Sequence, residues 1–445
     1  MDFKFKNCLV IGLGESGLSA ALLLKKLGAN VRVSDSSKAD DLRTKIRILH
    51  NNGINQIETD KHSKAILDKC EIVIVSPGIH MDNFLVVAAK AMGLPVISEI
   101  ELGYMCCEAP IIAITGTNGK TTTASLSASL LRNSGYNTFL CGNIGKPFCD
   151  IAQEAKKNDY VVLEVSSFQL LTSDKLKPKV SMMLNIDQDH LDYHADFREY
   201  YMAKAKIFQE QDEADFCILR KEDYDNYFNG MKIEAQLAVV SQEVTADIYL
   251  KGQDIIKNNK KFCKLSEINI ANIKVAENFI FLAALARCLN ISDDILFKTV
   301  SDFKGLAHRI EKVGIYNGVL YVNDSKATNV SATRQALKAI AEPTILLAGG
   351  FDKKTDFKTL TPDFFKNVKL IVLAGEARHK LREALEGIKP LKVVESLREA
   401  VIYARSQAVK GDVILLSPMC ASFDEFSSYK ERGETFIKIV KEINS

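Results

Sequence analysis

The stretch Ile114-Thr115-Gly116-Thr117-Asn118-Gly119-Lys120-Thr121-Thr122 has the residue types that hold a polyphosphate. An apolar strand read over 111–115 runs into a glycine turn, and Lys-Thr then opens a helical run over 121–131. Backbone N–H groups of such a turn and the positive end of the helix dipole face an anion, the lysine reaches the β- and γ-phosphates, and the threonine hydroxyl is available to Mg²⁺. The general pattern G-x-x-x-x-G-K-[ST] asks for glycine where Ile114 stands. Its first glycine is instead Gly116, three residues before Gly119, so the loop is a shortened one.

Three further residues ask for a chemical reason. Glu164 ends the apolar run Tyr160-Val161-Val162-Leu163, which reads as a strand buried on both faces. A carboxylate there needs a partner, either the nucleotide's Mg²⁺ or a structural salt bridge. The run Leu184-Asn185-Ile186-Asp187-Gln188-Asp189-His190-Leu191-Asp192 ends a second such strand in carboxylates and one histidine, suited to a divalent ion or to proton transfer; a structural histidine is the plainer reading. Lys204 is marked by helical geometry. At 100° per residue, Phe197, Tyr200, Tyr201 and Phe208 fall within about 60° of it, whereas Lys206 points the other way. Desolvation lowers a lysine pKa and exposes a neutral amine that can be modified or enter a site; snorkelling of the side chain to solvent is the alternative.

Two other regions concentrate polar residues at strand ends. Gly12, Gly14 and Gly17 make a G-x-G-x-x-G turn after Leu9-Val10-Ile11, and Asp35 follows the next strand. This geometry binds a dinucleotide, or equally a substrate carrying a pyrophosphate and a ribose; glycines serving packing alone are the third possibility. Near the C-terminus, Ala307-His308-Arg309, Asn323-Asp324-Ser325-Lys326-Ala327-Thr328-Asn329, Gly349-Gly350-Phe351-Asp352-Lys353 and Ser417-Pro418-Met419-Cys420-Ala421-Ser422-Phe423 are polar loops. The last three follow apolar strands, which implies a site at one sheet edge.

The elements that must position these residues are short apolar runs alternating with helical patterns, the mark of parallel sheets covered by helices. The expected fold is α/β with three domains: a Rossmann-like one over 1–107, a central phosphate-loop ATPase-like one over 108–305 and a Rossmann-like one over 306–445. Small strands are expected between about 215 and 269. The 445 residues are 47% hydrophobic and 26% charged, and 58 Lys+Arg nearly balance 56 Asp+Glu. Nothing in that balance asks for nucleic acid or an anionic membrane. No apolar run reaches a membrane span, and ten scattered cysteines without a C-x-x-C pair indicate neither zinc nor a disulfide framework. A reducing cytoplasm is the expected location.

Taken together, the shortened loop, Gly142-Asn143-Ile144-Gly145, Glu164-Val165-Ser166-Ser167-Phe168-Gln169-Leu170 and the 323–329 run resemble the Mur ligase family, ATP-dependent amide-forming enzymes of peptidoglycan synthesis, and within it the branch that adds D-glutamate. The resemblance implies that the first domain holds the UDP of UDP-N-acetylmuramoyl-L-alanine, not NAD, through Gly14, Ser16, Asp35 and Gly78, with Asn143, Ser166 and Gln169 on the same substrate. It implies ATP on Gly116, Thr117, Asn118, Gly119, Lys120, Thr121 and Thr122, joined by Asn278, Arg309 and Asp324. Two Mg²⁺ ions would be held by Thr121, Glu164, His190 and Lys204, the last as its carbamate. Lys120, His190, Lys204 and His308 would serve catalysis, His308, Thr328, Lys353 and Ser422 would meet D-glutamate, and Phe423 and Tyr429 would bind substrate. The family's usual His-Asn pair ahead of the position of Asn278 is Lys274 and Val275 here. The expected reaction runs through an acyl phosphate in a monomer. Its rivals are a nicotinamide-dependent oxidoreductase, a non-catalytic nucleotide switch and, inside the family, a neighbouring Mur ligase or folylpolyglutamate synthase.

Overall fold

The computed structural model describes residues 2–187, 193–268, 276–352, 355, 357 and 360–444. His190 and Lys353 lie outside the described residues, as do Lys274 and Val275. Among the described residues one compact unit runs to Ile268 and resumes at Ala276–Val300, and a second begins at Ser301.

The first unit holds two sheets. One is built from β1 (Asn7–Ile11), β2 (Asn30–Ser34), β3 (Gln56–Glu58), β4 (Ile72–Val75) and β5 (Val96–Ser98) in the order β3-β2-β1-β4-β5, all parallel. Alternate residues of β1 and β4 enter different cores: Val10 and Ile74 pack on one face, Leu9, Ile11, Val73 and Val75 on the other. That two-sided burial is why these strands read as unbroken apolar runs. The chain leaves β1 towards β2 on one side and later returns to β4 on the other, so a crevice opens beyond their carboxyl ends. The Gly12–Gly17 turn, Asp35 and the turn after Val75 all lie there.

The second sheet contains β6 (Ile111–Thr115), β7 (Thr138–Gly142), β8 (Tyr160–Glu164), β9 (Val180–Met183), β10 (Phe216–Arg220), β11 (Gln236–Ser241), β12 (Ile248–Lys251), β13 (Asp254–Lys257) and β14 (Lys260–Lys264), ordered β14-β13-β12-β11-β10-β9-β6-β8-β7. It is parallel from β7 across to β12 and ends in the antiparallel β12–β14 meander, so the small strands expected there are present. The register pairs Ile114 with Glu164 on one side and Thr115 with Met183 on the other. The phosphate loop, Glu164 and the residues after β9 therefore share one sheet edge.

The second unit carries β15 (Glu311–Tyr316), β16 (Val319–Asn323), β17 (Thr344–Gly349), β18 (Val368–Ala374), β19 (Leu391–Val393) and β20 (Val413–Met419), ordered β15-β16-β20-β17-β18-β19 with only β15 antiparallel. Asn323 pairs with Leu416, and Gly349 with Met419. The three polar loops that follow β16, β17 and β20 thus meet at one edge, as their placement after apolar strands predicts. Among the described residues no helix is long and apolar enough to cross a membrane.

Candidate active site

Gly116 adopts φ +147°, and a Cβ there would lie 3.1 Å from the Leu184 Cβ and 3.2 Å from the Asn185 nitrogen, so only glycine lets the loop lie against the residues after β9. Gly119, at φ +80°, caps the helix Lys120–Asn133. The Lys120 Nζ folds back and donates to the Gly116 carbonyl at 2.7 Å and the Thr117 carbonyl at 2.9 Å. The Lys204 Nζ donates to the same Gly116 carbonyl at 3.0 Å and stands 4.5 Å from the Tyr200 ring centroid. Lys204 is only 2% exposed, so its side chain does not snorkel. Two ammonium groups at one carbonyl beside a helix N-terminus concentrate positive charge where a polyphosphate would relieve it.

The loop is braced from several sides. The Thr117 hydroxyl lies 3.0 Å from the Tyr200 hydroxyl and accepts from the Asp187 N–H. Asn118 donates its N–H to the Asn185 Oδ1 at 2.8 Å, and the Asn185 amide donates to the Asn118 carbonyl and to the Glu277 Oε1. Burial pushes the Glu277 carboxyl up to about 7. Asn278, expected on the nucleotide, is buried and donates its amide to the Thr123 hydroxyl at 2.7 Å, on the helix that the loop opens. Thr121 and Thr122 are half-buried in the first turn of that helix.

Glu164 is 1% exposed. Its Oε1 accepts from the Asn143 amide at 2.8 Å, and its Oε2 has no hydrogen-bond partner among the described residues. No basic side chain forms an ion pair with it among those residues, which leaves the salt-bridge reading without support. A buried carboxylate oxygen without a donor fits a divalent cation. Among the described residues no group of three or more His, Cys, Asp or Glu side chains converges on a metal position. Next to Glu164, Ser166 and Gln169 form a capping box for the helical turn Ser167–Leu170, with the Ser166 N–H donating to the Gln169 Oε1 at 2.9 Å.

In the first crevice, Asp35 accepts from the Leu13 N–H at 2.5 Å and the Ser37 N–H at 2.8 Å. Burial pulls its carboxyl up, but these backbone donors win and hold it below the ordinary carboxylate range. Gly14 and Gly78 are exposed and a Cβ on either would meet nothing within 4 Å, whereas a Cβ on Gly17 would fall 1.8 Å from the Gly12 carbonyl oxygen. Gly17 is a packing glycine; Gly14 and Gly78 border open space, and Ser16 between Gly14 and Gly17 is half-buried.

In the second unit, His308 sits at φ +62° with its ring against Gly433. The Asn323 amide donates to its Nδ1 at 3.0 Å and to the Glu311 Oε2 at 3.0 Å, while the Asn323 Oδ1 accepts from the Ser325 N–H. The amide orientation is thereby set, and Nδ1 is the ring's acceptor in this contact, which leaves Nε2 to carry the ring N–H. Asp324 is buried, accepts from the Ser417 hydroxyl and the Ile310 N–H, and is pushed up to about 7 by burial; the charge of half-buried Arg309 acts in the opposite direction. The Lys326 Nζ stands 3.9 Å over the Tyr429 ring. Thr328 is half-buried, Ser422 is 2% exposed, and Phe423 is 66% exposed.

Sequence reasoning missed Arg432. It is 4% exposed and donates to the Ser325 hydroxyl and carbonyl and to the Cys420 and Ala421 carbonyls, tying two of the polar loops together. A signal existed: Arg432, Phe436, Ile439 and Val440 share the buried face of the helix Tyr429–Asn444, and a cation on an apolar helical stripe needs a partner.

Residues 6–98 match the model of the Mur ligase MurD-like N-terminal domain, 114–283 the Mur ligase middle domain, and 308–420 the Mur ligase glutamate ligase domain. The chain is 38% identical over 450 residues to UDP-N-acetylmuramoylalanine--D-glutamate ligases of Bacillus thuringiensis (strain Al Hakam) and Bacillus mycoides (strain KBAB4), covering 99% of each chain. Among solved structures it is similar to the UDP-N-acetylmuramate-alanine ligase MurC of Thermotoga maritima, with a TM-score of 0.62, 17% identity, and 98% and 99% of the two chains covered. It is also similar to the MurF ligase of Thermotoga maritima in complex with ADP, with a TM-score of 0.60, 16% identity, and 99% and 96% covered. With all three family models matched in order and that identity sustained from end to end, the chain belongs to the Mur ligase family.

Proposed function

We propose that the chain is an ATP-dependent, ADP-forming ligase that joins D-glutamate to UDP-N-acetylmuramoyl-L-alanine, a cytoplasmic step of peptidoglycan synthesis, and that it works as a monomer of three domains, 1–107, 108–305 and 306–445. The observation that carries this reading is the pair of ammonium groups on the Gly116 carbonyl at the sheet edge that also holds buried Glu164. Its support in sequence is the full-length likeness to ligases that carry this name.

A carboxylate is a poor electrophile, and a triphosphate repels it. In the proposed reaction an oxygen of the terminal alanine carboxylate bonds to the γ-phosphorus of ATP, the β–γ bridging bond breaks, and ADP leaves. The D-glutamate amine then attacks the acyl carbon, loses a proton and expels phosphate. Lys120 swings from its carbonyl partners to the phosphates and offsets the repulsion. Thr121 and Glu164 would hold one Mg²⁺, and His190 with carbamylated Lys204 a second; bound Mg²⁺ supplies charge neutralisation and orients the phosphates. The first crevice holds UDP through Gly14, Ser16, Asp35 and Gly78, and Asn143, Ser166 and Gln169 border the rest of that substrate. Asn278, Arg309 and Asp324 serve the nucleotide, His308, Thr328, Lys353 and Ser422 receive D-glutamate, and Phe423 and Tyr429 bind substrate.

The test is ADP release from ATP with the UDP-linked acceptor across a panel of amino acids. Release with D-glutamate and little with the others is the expected result. No release when acceptor, ATP, Mg²⁺ and D-glutamate are all present would sink the reading.

A further inference from the structure

Tyr193 belongs to none of the roles above, yet it joins the two sheets of the first unit at their functional edges. Its hydroxyl donates to the Ile79 carbonyl at 2.9 Å. Its ring centroid lies 4.3 Å from that of His80 and 4.2 Å from that of Phe168. Ile79 closes the turn after β4 with an N–H to the Ser76 carbonyl, and the Ser76 hydroxyl donates to the Gly12 carbonyl at 2.7 Å. The Ile79 side chain also fills the space beside Gly12, where a Cβ would approach it to 3.0 Å. The two turns that line the first crevice are therefore one packed layer, and Tyr193 is hydrogen-bonded and stacked to that layer.

On its other side Tyr193 leads towards the phosphate loop. Phe168 lies in the short helix after Glu164. The His194 ring stacks at 5.6 Å on Phe168 and meets the Tyr200 ring at 5.3 Å, its Nε2 lies 2.9 Å from the Ser167 hydroxyl, and the Tyr200 hydroxyl meets Thr117 of the loop. We propose that Tyr193 is a positioning residue: by pinning the turn 76–80 of the UDP-binding crevice to the Glu164–Phe168 segment, it sets how far the acceptor's carboxylate reaches towards the phosphate loop. This rests on the function proposed above. Burial holds the phenol up to about 12, so it remains a hydrogen-bond donor through the neutral range.

The experiment uses the full chain and compares wild type with Tyr193→Phe, which removes only the hydroxyl, and with His80→Ala, which removes the exposed stacking partner. Hydrogen exchange at amides 78–81 is measured without substrates, and KM is measured separately for the UDP-linked acceptor, ATP and D-glutamate. In Tyr193→Phe, loss of one neutral hydrogen bond should speed exchange in the turn and raise the acceptor KM, each by about three- to tenfold, with the KM of ATP and of D-glutamate unchanged. His80→Ala should move the same two quantities. Unaltered exchange and acceptor KM in Tyr193→Phe would overturn the proposal, as would an equal rise in all three KM values with a lowered melting temperature. Wild type that releases no ADP overturns the proposed function instead, and the exchange measurement still reports whether Tyr193 pins the turn.

Discussion

Lys204 shows how one residue can be costly to fold and useful for that reason. A lysine 2% exposed gives up much of the hydration of its ammonium, and the Gly116 carbonyl and the Tyr200 ring are among the groups that offset this. Its nearness to Lys120 at the Gly116 carbonyl adds like-charge repulsion. Carbamylation by carbon dioxide would turn this cation into an anionic oxygen ligand suited to a divalent ion. Lys204→Ala is expected to lower kcat by about 10³-fold or more, with partial recovery when a short carboxylate such as formate is added. Steady-state ADP release with and without formate checks it; full activity in the variant would remove Lys204 from the site. The position was legible because helical spacing placed the lysine on an aromatic stripe. Its hydrogen bond to Gly116 was not, since 88 residues separate the two in sequence.

At the scale of elements, the two glycines of the first turn separate packing from binding. Gly17 lies where the helix Glu15–Lys26 passes close to the Gly12 carbonyl. Gly17→Ala should cost about 1–3 kcal/mol by forcing the helix and the turn apart, read as a lower urea midpoint at constant m. Gly14, at φ −70° with open space around it, tolerates a methyl group. Gly14→Ala should leave the urea curve unchanged and raise the KM of the UDP-linked acceptor, because the methyl group stands where the substrate is proposed to approach; an unchanged KM would remove Gly14 from the binding turn. The strands at 72–75 and 111–115 were readable to the residue, being apolar on both faces. Gln56–Glu58, Thr138–Gly142, Glu311–Tyr316 and Leu391–Val393 were not, and all four are edge strands. An edge strand is covered less completely, so its pattern is shorter or more polar than that of a central one.

At the scale of the molecule, the helix Glu99–Cys106 connects the first two sheets and carries two carboxyls into the seam between them. Glu99 accepts from the Cys149 N–H at 2.6 Å and Glu101 from the Lys175 N–H at 2.8 Å, and the second oxygen of each has no hydrogen-bond partner among the described residues. Burial pushes both up to about 7, against backbone donors that pull them down; Asp150 adds to the rise at Glu99 and Asp174 at Glu101. A carboxyl raised above its unfolded value stabilises the fold fully below that value, near 4.3, and loses this contribution as pH rises through about 7. The loss for Glu99 is on the order of 3 kcal/mol. Glu99→Gln, which keeps the shape and stays neutral, should flatten the fall in stability between about pH 5 and about pH 8. Urea midpoints across that range check it, and an unchanged slope would mean that Glu99 does not titrate in the folded protein.

The sequence by itself determined which segments become buried strands, where the phosphate loop stands and which loops are polar, because these depend on local pattern and on residue types that chemistry cannot exchange. It also carried the family, through motifs spread along the chain. Only the tertiary structure decided what each polar group meets. Asn185, Glu277 and Asn278 brace the phosphate loop from far along the chain, Arg432 ties the third sheet's loops, and Tyr193 joins the first crevice to the central sheet. A single sequence records no such pairing, since hydrogen bonds and desolvation depend on distances that only the packed sheets create.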